Sequence, residues 1–295
     1  VDASISLQSG RKQSRQDVSL QMGAQQSTID PLVNWKDKDV LGEIRNLQKT
    51  LSPYCKNEPL RIVVCGETGA GKSSLINNIL SALHGKLVQI ANVRNAPASV
   101  TKKYIEYEIT LKDKTMAETR IVLCDTEGVG SNNPGDQLEA VKAALQGKFA
   151  SNQRMDVKME GEKESVRKKH AVCVIIVRDA TLHINPTPPK TPLSDIQLYT
   201  DTESIPMCLV LTKCDRVDKA VGRDITQLYK SENVNKAINS ASETFQSMPK
   251  SRIFPIVNLT EQRILEPPMM LQTLYALYEI VSDVTVYMSA VVHNS

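Results

Sequence analysis

The sequence predicts an α/β fold of three layers: a mostly parallel sheet, helices on both faces and one antiparallel edge strand. Three observations carry this reading. Short apolar runs alternate with segments of helical period along the 295-residue chain. Residues 171–177 and 207–211 are continuously apolar, as strands buried on both faces are. Residues 104–111 alternate polar and apolar, as a strand with one solvated face does at an edge.

Residues 1–33, rich in Ser, Gln and mixed charge, read as a disordered tail. Residues 34–56 form a lead-in, in which Val40, Leu41, Ile44, Leu47 and Leu51 recur at helical spacing until Pro53 stops them. Residues 57–295 form one domain. Its first strand is residues 60–65, followed by a helix over 73–84 with Gly85 as its cap. The alternating strand comes next, then buried strands at 120–124, 171–177 and 207–211. The last strand is Ile253–Val257, which Pro255 assigns to an edge or a bulge. Helical patterns fall near 136–147, 224–246 and 269–283, the last read as packed on the sheet. The charged stretch 148–169 and the stretch 183–194, with prolines at 186, 188, 189 and 192, read as surface loops.

Composition narrows the function. Lys and Arg number 36 against 33 Asp and Glu, a net charge of +3, too small to argue for nucleic acid or a polybasic membrane anchor. No apolar run approaches the ~18 residues of a transmembrane helix, and neither a signal-peptide region nor a lipidation motif is expected. The six cysteines form no C-x-x-C pair; Cys65, Cys124, Cys173 and Cys208 lie in apolar runs and read as reduced core thiols of a cytoplasmic protein.

The chemistry is concentrated in GETGAGKSS at 66–74, which fits G-x-x-x-x-G-K-[ST] between a strand and a helix. In such a loop the backbone N–H groups of Gly66, Glu67, Thr68, Gly69, Ala70 and Gly71 turn inward around phosphate oxygens. The helix N-terminus near Lys72, Ser73 and Ser74 adds a favourable field. Lys72 reaches the β- and γ-phosphates, and the Ser73 hydroxyl ligates Mg²⁺.

Three later segments select the nucleotide. Asp125-Thr126-Glu127-Gly128 (D-x-x-G) ends a strand; Asp125 holds the Mg²⁺ shell and the Gly128 N–H senses a γ-phosphate. Thr212-Lys213-Cys214-Asp215 ends another. A carboxylate at Asp215 accepts from guanine N1–H and the 2-amino group, which adenine cannot match, while the Lys213 stem covers the base; this favours GTP over ATP. Asn258, after the last strand, is either a lid over the guanine edge or a simple turn residue. Thr101 is the expected switch-loop ligand to Mg²⁺ and γ-phosphate, with Ser99 as the alternative.

The site also departs from small GTPases. The position after Gly128, where a Gln orients the attacking water, is Val129, and Thr68 replaces a frequent Gly. Hydrolysis is therefore expected to be slow, or completed by another group: Arg94 as a finger in cis, Glu127, or a second subunit across the nucleotide face.

The phosphate loop with Thr68, SVTKKY at 99–104, CDTEG at 124–128, LTKCD at 211–215, Leu228-Tyr229-Lys230-Ser231 and FPIVNLTE before a Leu-rich helix together resemble the interferon-induced protein 44 family. The resemblance runs over roughly residues 34–288. It implies a P-loop GTPase-like three-layer fold, guanine-nucleotide binding and a role in innate, antiviral-type responses. The expected function is a cytoplasmic GTP- and Mg²⁺-dependent switch with slow hydrolysis and an unidentified protein partner. The alternative is an interaction module that holds GTP as a structural ligand.

Overall fold

A computed structural model of the chain describes residues 39–55, 58–91, 104–113, 116–126, 128, 134–149, 151, 153, 155, 170–184, 191, 193–246, 248–259 and 264–292. Helix α1, Val40–Leu51, starts where the Asp39 carboxylate accepts the Leu41 N–H. Strand β1, Leu60–Gly66, leads through the glycine-rich loop into α2, Lys72–His84, which ends at Gly85 in the left-handed conformation. Strands β2, Ile105–Asp113, and β3, Met116–Asp125, follow, then α3, Pro134–Leu145. Strand β4, Cys173–Asp179, precedes a 3₁₀ turn, Ala180–His183, and α4, Leu193–Thr202. Strand β5, Met207–Thr212, opens into the short helices α5, Cys214–Val217, and α6, Lys219–Arg223. Helix α7, Glu232–Thr244, strand β6, Ile253–Pro255, and helix α8, Pro267–Val292, complete the chain.

The six strands form one sheet in the order β2-β3-β1-β4-β5-β6. Every pairing is parallel except β2–β3, so the antiparallel strand is the alternating one and lies at an edge, as expected. Pro255 lies on the opposite edge strand, where its missing N–H costs the ladder least.

Two cores follow from the period-2 alternation of the buried strands. On one face Ile62, Val64, Ile121 and Leu123 pack with Leu47 and Leu51 of α1, Leu75 and Ile79 of α2, and Leu277 and Val281 of α8. On the other, Val63, Cys65, Val122 and Ile176 pack with Val141 and Leu145 of α3, Ile196 of α4, and Val234 and Ala241 of α7. The six cysteines are buried and free. Among the described residues no helix is long and apolar enough to cross a membrane.

The structure corrects some element limits. The segment 224–246 is not one helix: residues 225–227 form a 3₁₀ turn capped by Asp224, and α7 starts only at Glu232, where Ser231 Oγ accepts the Val234 N–H at 3.2 Å. The last helix runs past the expected 283 to Val292, because α1 and α2 continue to cover it. Most of the two loops expected at 148–169 and 183–194 lies outside the described residues.

Candidate functional site at the carboxyl ends of the strands

The site forms where the carboxyl ends of β1, β3, β4 and β5 meet. The chain crosses from one side of β1 to the other between β3 and β4. In open α/β sheets such a reversal leaves a crevice that takes ligands.

The glycine-rich loop is tied down from several sides. Gly66, Gly69 and Gly71 all have positive φ. At Gly71, where φ is 95°, an added Cβ would also lie 2.6 Å from Asn258 Nδ2. Lys72 is buried, and its Nζ donates to the carbonyls of Gly66 at 3.0 Å and Glu67 at 3.2 Å, so the ammonium lies within the loop. A Cβ on Gly128 would come within 2.8 Å of Thr68 and 3.0 Å of Lys72 Nζ. The glycine of D-x-x-G therefore abuts the loop lysine.

Asp125 is buried at the end of β3, and Ser73 Oγ, in the first turn of α2, donates to its Oδ2 at 3.1 Å. Its Oδ1 is buried with no hydrogen-bond partner among the described residues. Burial pushes the Asp125 carboxyl up to about 6, opposed by the Lys72 ammonium and the Ser73 hydroxyl. The Ser73 hydroxyl and the Asp125 carboxylate, whose buried Oδ1 has no partner among the described residues, make an all-oxygen set suited to a hard cation such as Mg²⁺. Thr126 anchors this turn by donating from Oγ1 to the Val64 carbonyl at 3.0 Å.

The T-K-C-D segment joins the same site. Thr212 Oγ1 donates to the Ala70 carbonyl of the loop and to the Arg178 carbonyl of β4. Lys213 is in the left-handed conformation, φ 59°, and its Nζ is 2.6 Å from Asp179 Oδ2. Asp215 is partly exposed in the first turn of α5.

Two further side chains tie the loop to its surroundings. Asn258 Oδ1 accepts from Asn78 Nδ2 at 3.0 Å and its Nδ2 donates to the Gly71 carbonyl at 3.5 Å, which ties α2 and the loop to the end of β6. The Glu67 side chain links the loop to β4 and to Thr191. It accepts the Thr191 hydroxyl at 2.9 Å and lies 3.8 Å from Nε of the buried Arg178. Thr101, Ser99, Arg94, Glu127 and Val129 lie outside the described residues.

Sequence reasoning missed Arg178 and Asp179. The signal was a charged pair closing the apolar run of β4 at its carboxyl end, where ligand-facing groups collect.

Phosphate loop, D-x-x-G and T-K-C-D at one end of a mostly parallel sheet define a P-loop GTPase domain. The chain belongs to the family described as "50S ribosome-binding GTPase", whose model matches residues 61–213. Its curated homologues are interferon-induced proteins. Interferon-induced protein 44 of Mus musculus is 24% identical over 228 residues, 75% of this chain and 53% of that protein. Interferon-induced protein 44-like of Homo sapiens is 33% identical over 90 residues, 30% of this chain and 20% of that protein. The match spans about half the length of the first of these relatives and a fifth of the second. Among solved structures, Toc33 from Arabidopsis thaliana in complex with GDP and Mg²⁺ is 14% identical, with a TM-score of 0.47 and coverage of 85% of this chain and 96% of that one.

Proposed function

We propose that the chain binds guanine nucleotide with Mg²⁺ and works as a switch that hydrolyses GTP slowly, in an innate, antiviral-type response like that implied by its interferon-induced relatives. One observation carries the reading: Lys72, Gly128, Ser73 and Asp125 converge on the phosphate loop, and Asp125 keeps a buried oxygen, Oδ1, without a partner among the described residues.

The loop backbone and Lys72 bind the phosphates, the ammonium shifting from the Gly66 and Glu67 carbonyls to phosphate oxygens. Ser73 and Asp125, with Thr101, would hold Mg²⁺. When bound, the ion neutralises charge on the β- and γ-phosphate oxygens. Gly128, against Lys72, reports the γ-phosphate to the segment that follows it. Asp215 reads the guanine edge and the Lys213 stem covers the base. Asn258 supports the loop through the Gly71 carbonyl.

Val129 at the water-orienting position is the reason to expect slow turnover. The test is phosphate release per subunit across a range of protein concentrations with GTP and Mg²⁺. A low specific rate that rises with protein concentration supports the switch and a site completed by a second copy. Full occupancy with no release at any concentration overturns the switch and leaves GTP as a structural ligand.

A further inference from the structure

The base-covering role of Lys213 depends on where its side chain is held. That is set by Asp179, a residue with no part in the nucleotide motifs. Asp179 is the last residue of β4 and lies opposite Thr212 in the β4–β5 register. Its two carboxylate oxygens are divided between two elements. Oδ2 takes the Lys213 ammonium at 2.6 Å; Oδ1 accepts the Thr181 N–H at 2.9 Å and the Thr181 hydroxyl at 2.7 Å, capping the 3₁₀ turn Ala180–His183. The side chains of the pair are 24% and 18% exposed, so water competes little for either charge. Lys213 also holds a left-handed backbone that a non-glycine residue rarely adopts. The ion pair fixes the far end of a long side chain, whose backbone end is set by the strand-to-helix turn and which would otherwise sample many rotamers.

We propose that Asp179 is a positioning residue for guanine-nucleotide recognition, anchoring the Lys213 ammonium so that the lysine stem is pre-set as the platform for the base. The inference rests on the guanine-nucleotide reading above. An anchored stem spares the ordering cost on binding, so loss of the anchor weakens affinity without removing any group that touches the nucleotide.

The test is a double-mutant cycle on the full chain, read by competition of GDP, GTP and ATP against a fluorescent GDP analogue. Asp179→Asn keeps an oxygen acceptor for the Thr181 cap and removes the charge. Lys213→Met keeps the apolar stem and removes only the ammonium. Each single variant is expected to bind guanine nucleotides about tenfold more weakly, the double variant no more weakly than Lys213→Met alone. Thr181→Ala, which loosens the turn but leaves the ion pair, is expected to bind as the parent does. Independent, multiplying losses in the double variant, or parent-like binding by Asp179→Asn or by Lys213→Met, overturn the inference while leaving the guanine-nucleotide reading intact. A loss in Thr181→Ala equal to that in Asp179→Asn also overturns it, since the turn alone would then explain the effect. A folded parent chain that binds no guanine nucleotide overturns both.

Discussion

At the scale of single residues, this domain places charge where burial alone would forbid it and compensates each instance locally. Asp125 faces Lys72 and Ser73, Arg178 faces Glu67, and Asp179 faces Lys213. His183 is the exception, because it is compensated by staying neutral. Burial, reinforced by the nearby Arg178 charge, pushes its pKa down from 6.5 to about 4. The unfolded chain takes up that proton as the pH falls through about 6.5, whereas the folded chain does so only near pH 4. The stability His183 contributes is thus fully present above pH 6.5 and is lost as the pH falls towards 4. Between pH 7 and pH 5 the loss is at most about 2 kcal/mol. His183→Gln is expected to flatten the acid-side fall in stability by that amount, measured as urea midpoints at the two pH values. An unchanged slope would mean that His183 is solvated when folded.

Elements were largely legible in the sequence, because their signals are local. Continuous apolar runs gave the buried strands, strict alternation gave the edge strand, and Pro255 marked the other edge. The limits were less legible where a partner far along the chain decides them. Strand β3 starts at Met116 rather than at 120 because the antiparallel pairing with β2 extends it. The segment 224–246 carries helical spacing throughout, yet the Asp224 and Ser231 side chains capture backbone N–H groups and restart the helix. The phosphate loop, Asp125 and the T-K-C-D segment were legible as spaced motifs. The Asn258–Asn78, Glu67–Thr191 and Asp179–Lys213 contacts were not, since each joins residues that only the sheet order brings together. The same dependence gives α1 its importance. Leu47 is 1% exposed and packs in the core shared with α2 and α8. Leu47→Ala is expected to cost about 2–4 kcal/mol, seen as a lower chemical-denaturation midpoint, whereas a change below about 0.5 kcal/mol would mean that α1 is a dispensable appendage.

At the scale of the whole molecule, the two cores serve one end of the sheet. Helices α1, α2 and α8 cover one face, α3, α4 and α7 the other, and both support the loop, D-x-x-G and T-K-C-D ends of the strands. A nucleotide bound there touches segments from β1, β3 and β5 at once, so binding should stabilise the whole domain, by about 2.7 kcal/mol at a ligand concentration 100 times Kd. Guanine-nucleotide binding at this site is what we infer above all. The most direct measurement is a calorimetric titration of the full chain with GTP and, separately, ATP in Mg²⁺, with Lys72→Ala as the control. One saturable site that prefers GTP to ATP is expected, with at least a ~100-fold weaker affinity in Lys72→Ala. Equal binding of the two nucleotides, or no binding by a folded chain, would contradict it.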